Sequence, residues 1–148
     1  INRETLSKTT EINNSKLFVL GTDTLIRGKN SGIIFEKPAD KADAIQMLKK
    51  ISREEIEIVT GHALDIYHDD KKIEENWLSI STAHFSIPDH LLESYLAHTP
   101  AALFACGACV IENLGMIFLK EFNGSLSGAL GIDMYELVSK LESHGFKL

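Results

Sequence analysis

The chain has 148 residues, 44% of them apolar and 24% charged, with a net charge of −6. That is the composition of one globular domain with a single core, neither disordered nor built for a bilayer. The acidic balance excludes bulk attraction of a nucleic-acid backbone, and no apolar run reaches the length of a membrane span.

Taken in chain order, Asn2 to Asn13 reads as a modest polar helix stopped by Asn13-Asn14-Ser15. Lys16 to Leu20 is a short apolar run before a glycine, which predicts a buried strand that Leu25 and Ile26 can continue. Arg27 to Gly32 is a turn with solvated cations, and Ile33 to Phe35 a second strand. Pro38 opens a helix with Asp40 as its N-cap. Ala44, Ile45, Leu48 and Ile51 form its apolar face.

Ile56 to Tyr67 and Ile73 to Phe85 predict a hairpin of two long strands turning at His68 to Lys72. Ser86 to Ala97 reads as a helix with Leu91, Leu92, Tyr95 and Leu96 inward. Leu114 to Phe122 fits helix and strand equally. Gly124, Gly128 and Gly131 mark a loop. Asp133 caps the last helix, with Met134, Leu137, Val138 and Leu141 turned to the core and Gly145 as its stop. The order α-β-β-α-β-β-α-β-α predicts one α/β or α+β domain over 1–148. Its sheet is expected to be mixed, because hairpins and helical crossovers both occur.

Chemistry concentrates where the first strand runs into Gly21-Thr22-Asp23-Thr24. Small residues at a strand end let a ligand approach the backbone, an Asp there can hold a divalent metal or orient a water, and threonine hydroxyls can meet phosphate oxygens. The same residues also suit an Asx-type turn. Lys37, directly before Pro38, suits either a phosphate contact at a helix start or plain solvation. Thr60-Gly61 interrupts a strand as a bulge or close approach would. His62 and His84 read as packed or edge histidines, and Glu112 as either a functional carboxylate or a strand-end surface residue. Cys106 and Cys109, spaced C-x-x-C without a second such pair, read as buried structural thiols of a reducing compartment rather than redox or zinc ligands.

These pieces arrive in a characteristic order. The segment Leu20-Gly21-Thr22-Asp23-Thr24 precedes Lys37-Pro38-Ala39-Asp40, with Ala44 and Met47-Leu48 in the following helix. Val59-Thr60-Gly61 follows, then Ser86-Ile87-Pro88-Asp89 with Tyr95-Leu96. Cys106-Gly107-Ala108 comes before Ile111-Glu112-Asn113-Leu114-Gly115, and Gly124-Ser125 leads to Gly131-Ile132. In this arrangement the chain resembles the Maf family of nucleoside triphosphate pyrophosphatases, from the first strand to the C-terminus.

The resemblance implies hydrolysis of a modified or pyrimidine nucleoside triphosphate between its α and β phosphates, with Mg²⁺ or Mn²⁺, in a cytoplasmic homodimer that binds neither nucleic-acid polymer nor membrane. It implies Asp23 as catalytic carboxylate and metal ligand, and Thr22, Thr24, Lys37, Thr60 and Glu112 as substrate-binding residues. Such a metal would also offset the charge of an anionic substrate on an acidic protein. An alternative it carries is a catalytically impaired nucleotide-binding regulator linked to cell division or septum formation.

The chain departs from the family pattern in four places. Ile56 stands where the family has a His, and Asp133 replaces the Pro of its G-L-P-L step. Glu112 replaces the Gln of the pyrimidine branch. A carboxylate only accepts hydrogen bonds, so base selection is expected to shift away from dTTP and UTP. The family's opening Ser-x-x-Arg-Arg loop has no counterpart among these residues. The expectation is therefore an N-terminally incomplete domain that, alone, is weakly active or inactive.

Overall fold

The computed structural model describes residues 16–147, so the predicted helix at Asn2 to Asn13 lies outside the described residues. The architecture is α+β. The strands are β1 (Leu17–Gly28), β2 (Ile34–Phe35), β3 (Ile56–His68), β4 (Lys71–Phe85) and β5 (Leu119–Asn123), in the sheet order β2-β1-β3-β4-β5. The helices are α1 (Lys41–Ile51), α2 (Leu92–His98), α3 (Leu126–Ala129) and α4 (Met134–Ser143).

Every described pairing is antiparallel, which corrects the expectation of a mixed sheet. The reason is the position of β1. Both β2 and β3 pair antiparallel with it, on opposite edges, so these two strands run in the same direction but never touch. The α1 crossover carries the chain past β1 instead of between two bonded parallel strands.

The β3–β4 hairpin forms because its residues alternate. Ile56, Ile58, Thr60, His62, Leu64 and Ile66 are all buried, while Glu57, Val59, Gly61 and Asp65 between them are not. The turn is tighter than expected, a two-residue loop with Asp69 at φ 51, a conformation Asp accepts better than branched residues do. One face of the sheet carries the core, which gathers Leu48, Ile51, Ile56, Phe85 and Tyr95 under α1, α2 and the 3₁₀ turns around residues 100–118. Each such side chain contributes roughly 1.5–3 kcal/mol by leaving water. A smaller cluster of Leu64, Ile66 and Leu137 lies under α4.

Asp40 caps α1 as predicted, its carboxylate accepting from the Asp43 N–H at 2.8 Å, and Asp133 caps α4 in the same way through Glu136. Met134 is not inward, being 49% exposed; Leu137 carries the contact with the sheet. The ambiguous segment divides in two, a 3₁₀ stretch at Asn113–Phe118 followed by β5. Arg27 and Lys29 are not simply solvated: they form surface ion pairs with Glu57 and Glu55.

Candidate functional site

Gly21 to Thr24 do not end a strand. They lie in the middle of the 12-residue β1, where Asp23 pairs with Gly61 and Thr24 with Thr60. An Asx turn is therefore ruled out. The Asp23 carboxylate instead accepts the Thr24 N–H at 3.0 Å, so it bends along its own strand and stays exposed. Gly61 makes no bulge, because the register with β1 and β4 runs through it unbroken.

A seam of hydroxyls holds the far wall in place. Thr60 is fully buried; its hydroxyl donates to the Gly128 carbonyl at 2.7 Å and lies 2.9 Å from the Thr24 hydroxyl. Ser81 donates to the Ser125 carbonyl at 3.0 Å. The backbone of α3 thus rests directly on the sheet. A Cβ on Gly128 would sit 2.2 Å from the Ser79 hydroxyl, so only glycine permits this approach.

Between the β1 surface, α3 and the 3₁₀ turns lies a cavity of about 410 Å³. Thr22, Asp23, Thr24 and Lys37 supply the polar part of its lining, with Glu112. Phe104, Val110, Ile111 and Leu130 supply much of the apolar part. Cys106 ties these parts together. Its thiol donates to the Thr24 carbonyl at 3.4 Å, and the next residue, Gly107, donates its N–H to the Glu36 carbonyl at 2.9 Å. Burial pushes the Cys106 thiol up; Lys37 opposes that shift, while Asp23 and Glu36 add to it.

The Val110-to-Glu112 edge is fixed by a buried tyrosine. The Tyr95 hydroxyl accepts the Val110 N–H at 3.0 Å and lies 3.3 Å from the Ala108 carbonyl. Ala108 itself holds φ 54, an uncommon conformation for a residue with a Cβ.

Of the residues expected at the site, Thr22, Asp23, Thr24, Lys37 and Glu112 come together on this one cavity. Thr60 does not: its hydroxyl faces Gly128 and Thr24 inside the protein, which corrects its assignment as a direct substrate contact. Both cysteines are free; Cys109 is buried as expected, but Cys106 is only half-buried and lines the cavity. His62 is packed as expected, stacked on Trp77 at 4.6 Å with its Nε2 accepting the Asp133 N–H at 2.9 Å. His84 is half-buried on β4. Phe104 was missed. Its signal was visible as the one large aromatic in the small-residue run Pro100 to Ala108.

A cavity of this size in an α+β domain, lined by a lysine, hydroxyls and carboxylates on one part and by apolar side chains on another, has the size and mixed lining of a small-molecule pocket. The chain belongs to the Maf-like protein family, whose pattern its residues 2–144 match. A Chlamydia pneumoniae protein named nucleoside triphosphate pyrophosphatase is 36% identical over 127 residues, 84% of this chain and 60% of the relative. A dTTP/UTP pyrophosphatase of Albidiferax ferrireducens is 33% identical over 116 residues, 78% of this chain and 56% of the relative. A dTTP/UTP pyrophosphatase of Halalkalibacterium halodurans is 32% identical over 130 residues, 87% of this chain and 65% of the relative. The chain thus spans about three fifths of the length of these curated relatives.

Proposed function

We propose that this domain binds a nucleoside triphosphate in the cavity beside β1 and belongs to an enzyme that hydrolyses it to the monophosphate and pyrophosphate. The observation that carries the proposal is the gathering of Asp23, Lys37, Thr22 and Thr24 on one cavity that also has an apolar wall. In this reading Lys37 and the two threonine hydroxyls hold phosphate oxygens, the lysine as a compact charge and the hydroxyls as neutral donors.

Asp23 orients a water for attack on the α-phosphorus and takes its proton. A new P–O bond forms, the bond from the α-phosphorus to the α–β bridging oxygen breaks, and pyrophosphate leaves with the electron pair. The donors present suit a hard divalent cation bound through one carboxylate and the substrate's own phosphates. Among the described residues no three His, Cys, Asp or Glu side chains gather as a protein-only cage. Asp23 would hold Mg²⁺ or Mn²⁺, which supplies neutralisation of phosphate charge when bound. Glu112, as a carboxylate that only accepts hydrogen bonds, favours a base edge rich in N–H donors over one rich in carbonyls.

The names of the relatives support this reading of activity. A homodimer in a reducing cytoplasm is part of the same proposal, and the two free thiols accord with that setting.

The test, made on the whole gene product, is a panel of GTP, 7-methyl-GTP, dTTP and UTP with Mg²⁺, following pyrophosphate and monophosphate together. Equimolar release of the two products supports the proposal. Release of inorganic phosphate alone, or no product from any nucleotide, contradicts it. Nucleotide-dependent thermal stabilisation without product would instead identify a nucleotide-binding regulator.

A further inference from the structure

Phe104 lines the cavity and is 77% exposed. The other aromatic rings of the domain are used in packing or lie away from the cavity. Phe85, Tyr95 and Phe118 pack edge to face in the core, and Trp77 stacks on His62. Phe104 is the aromatic residue on the cavity wall. A large ring left in water at the edge of a concave site marks a contact that the folded chain does not itself complete.

The backbone that carries this ring is held firmly. Phe104 ends the 3₁₀ segment Pro100–Phe104, which begins at a proline; Ala102 within it is fully buried and Leu103 packs against the core. The Ala105 N–H closes the turn on the Ala102 carbonyl at 3.2 Å. Two residues on, Cys106 bonds Thr24 of β1, and Gly107 bonds Glu36, the neighbour of Lys37. The ring therefore stands in fixed relation to the part of the cavity assigned above to phosphate. A ligand with an anionic tail on Lys37 and a flat apolar head would meet the ring with that head.

We infer that Phe104 is the stacking platform for the nucleobase and sets affinity for nucleotides over bare polyphosphate; this rests on the nucleoside triphosphate reading. Stacking a base on an aromatic side chain changes affinity by roughly five- to a hundred-fold and tolerates several bases, because each has a π-face. Phe104 would then set affinity for the nucleoside part while leaving phosphate binding to β1 and Lys37.

The experiment compares GTP, UTP and inorganic tripolyphosphate, each with Mg²⁺, by calorimetric titration of the unchanged protein, Phe104→Ala and Phe104→Tyr. The expected result is that Phe104→Ala weakens both nucleotides roughly ten-fold, leaves tripolyphosphate affinity unchanged, and is rescued by Phe104→Tyr. An exposed side chain can be cut back without loss of fold, so the melting temperature should hold. Equal weakening of all three ligands would overturn the inference by marking a structural role. Unchanged nucleotide affinity would also overturn it, and a change in elution volume with that result would mark Phe104 as a protein-docking residue. Failure of the unchanged protein to bind any of the three would overturn the nucleotide reading itself, and the inference with it.

Discussion

The Thr60 hydroxyl donates to the Gly128 carbonyl at 2.7 Å, across 68 residues of chain, and by this bond the sheet fixes the helix that walls the cavity. Replacing Thr60 with Val keeps the shape but leaves the Gly128 carbonyl with the Gly131 N–H at 3.0 Å as its remaining donor, and removes the partner of the Thr24 hydroxyl. The expected cost is about 0.5–1.5 kcal/mol, the net worth of a typical hydrogen bond. Thr60→Ser should restore most of it. Chemical denaturation of the two variants checks this, and equal stability of Val and Ser would contradict it.

The same contact constrains Gly128. Its Cβ would meet the Ser79 hydroxyl at 2.2 Å, so Gly128→Ala must lift α3 from the sheet. The expected loss is about 1–3 kcal/mol, as for other overpacked positions. Nucleotide affinity should fall as well, because Ala129 and Leu130 line the cavity. A melting curve and a binding titration on one preparation measure both effects.

Thiol chemistry gives a pH-dependent prediction. Burial pushes the Cys109 thiol up to about 12 from 9.0, with Glu112 adding to the shift, and pushes Cys106 up as well. The thiolate is the reactive form. At pH 8 a maleimide or aromatic disulfide should label Cys106 slowly and Cys109 only on unfolding. Bound nucleotide should slow Cys106 further, since that thiol lines the cavity. The sign for stability follows from proton binding. Above pH 9 the unfolded chain releases the Cys109 proton while the folded chain keeps it, so stability should fall between about pH 9 and 12. Cys109→Ala should flatten that fall.

At the other end of the scale, Glu75 joins β4 to α4. Hydrogen bonds from His144 at 3.0 Å and Lys140 at 3.1 Å hold its carboxyl below the usual carboxylate range. A depressed carboxylate contributes stability above its unfolded value of 4.5 that is lost as pH falls through the folded one. Melting temperature between pH 6 and 3 should therefore drop less steeply in Glu75→Gln than in the unchanged protein. Parallel curves would contradict the link.

Parts of this domain were legible in sequence because local chemistry and tertiary role agree there. Asp40 and Asp133 read as caps and are caps; the alternation from Ile56 onward reads as a hairpin and is one. β1 was read short, since Gly21 to Thr24 lack the apolar alternation of a covered strand. Thr22 to Thr24 are polar and line a cavity, and the backbone pairing with β3 that keeps the whole segment in the sheet leaves no trace in side-chain pattern. Met134 was read as inward from spacing alone. The Asp133 N–H bonds His62 at the start of the helix, and Leu137 and Leu141, also expected inward, are the residues that pack.

At the site, Asp23, Lys37 and Glu112 were visible as chemistry-bearing types at segment ends. Thr60 was not visible as an internal bond, nor Cys106 as a wall residue, because each depends on a partner more than 60 residues away.

The central claim is that Asp23 serves catalysis at this cavity. The most direct measurement is pyrophosphate release by Asp23→Asn in the whole gene product beside the unchanged one, with far-UV circular dichroism and nucleotide affinity taken on both. The account predicts a fall in turnover of about 10²-fold or more, the scale of a lost general base, with the fold intact. Turnover within a few-fold of the unchanged protein would contradict it.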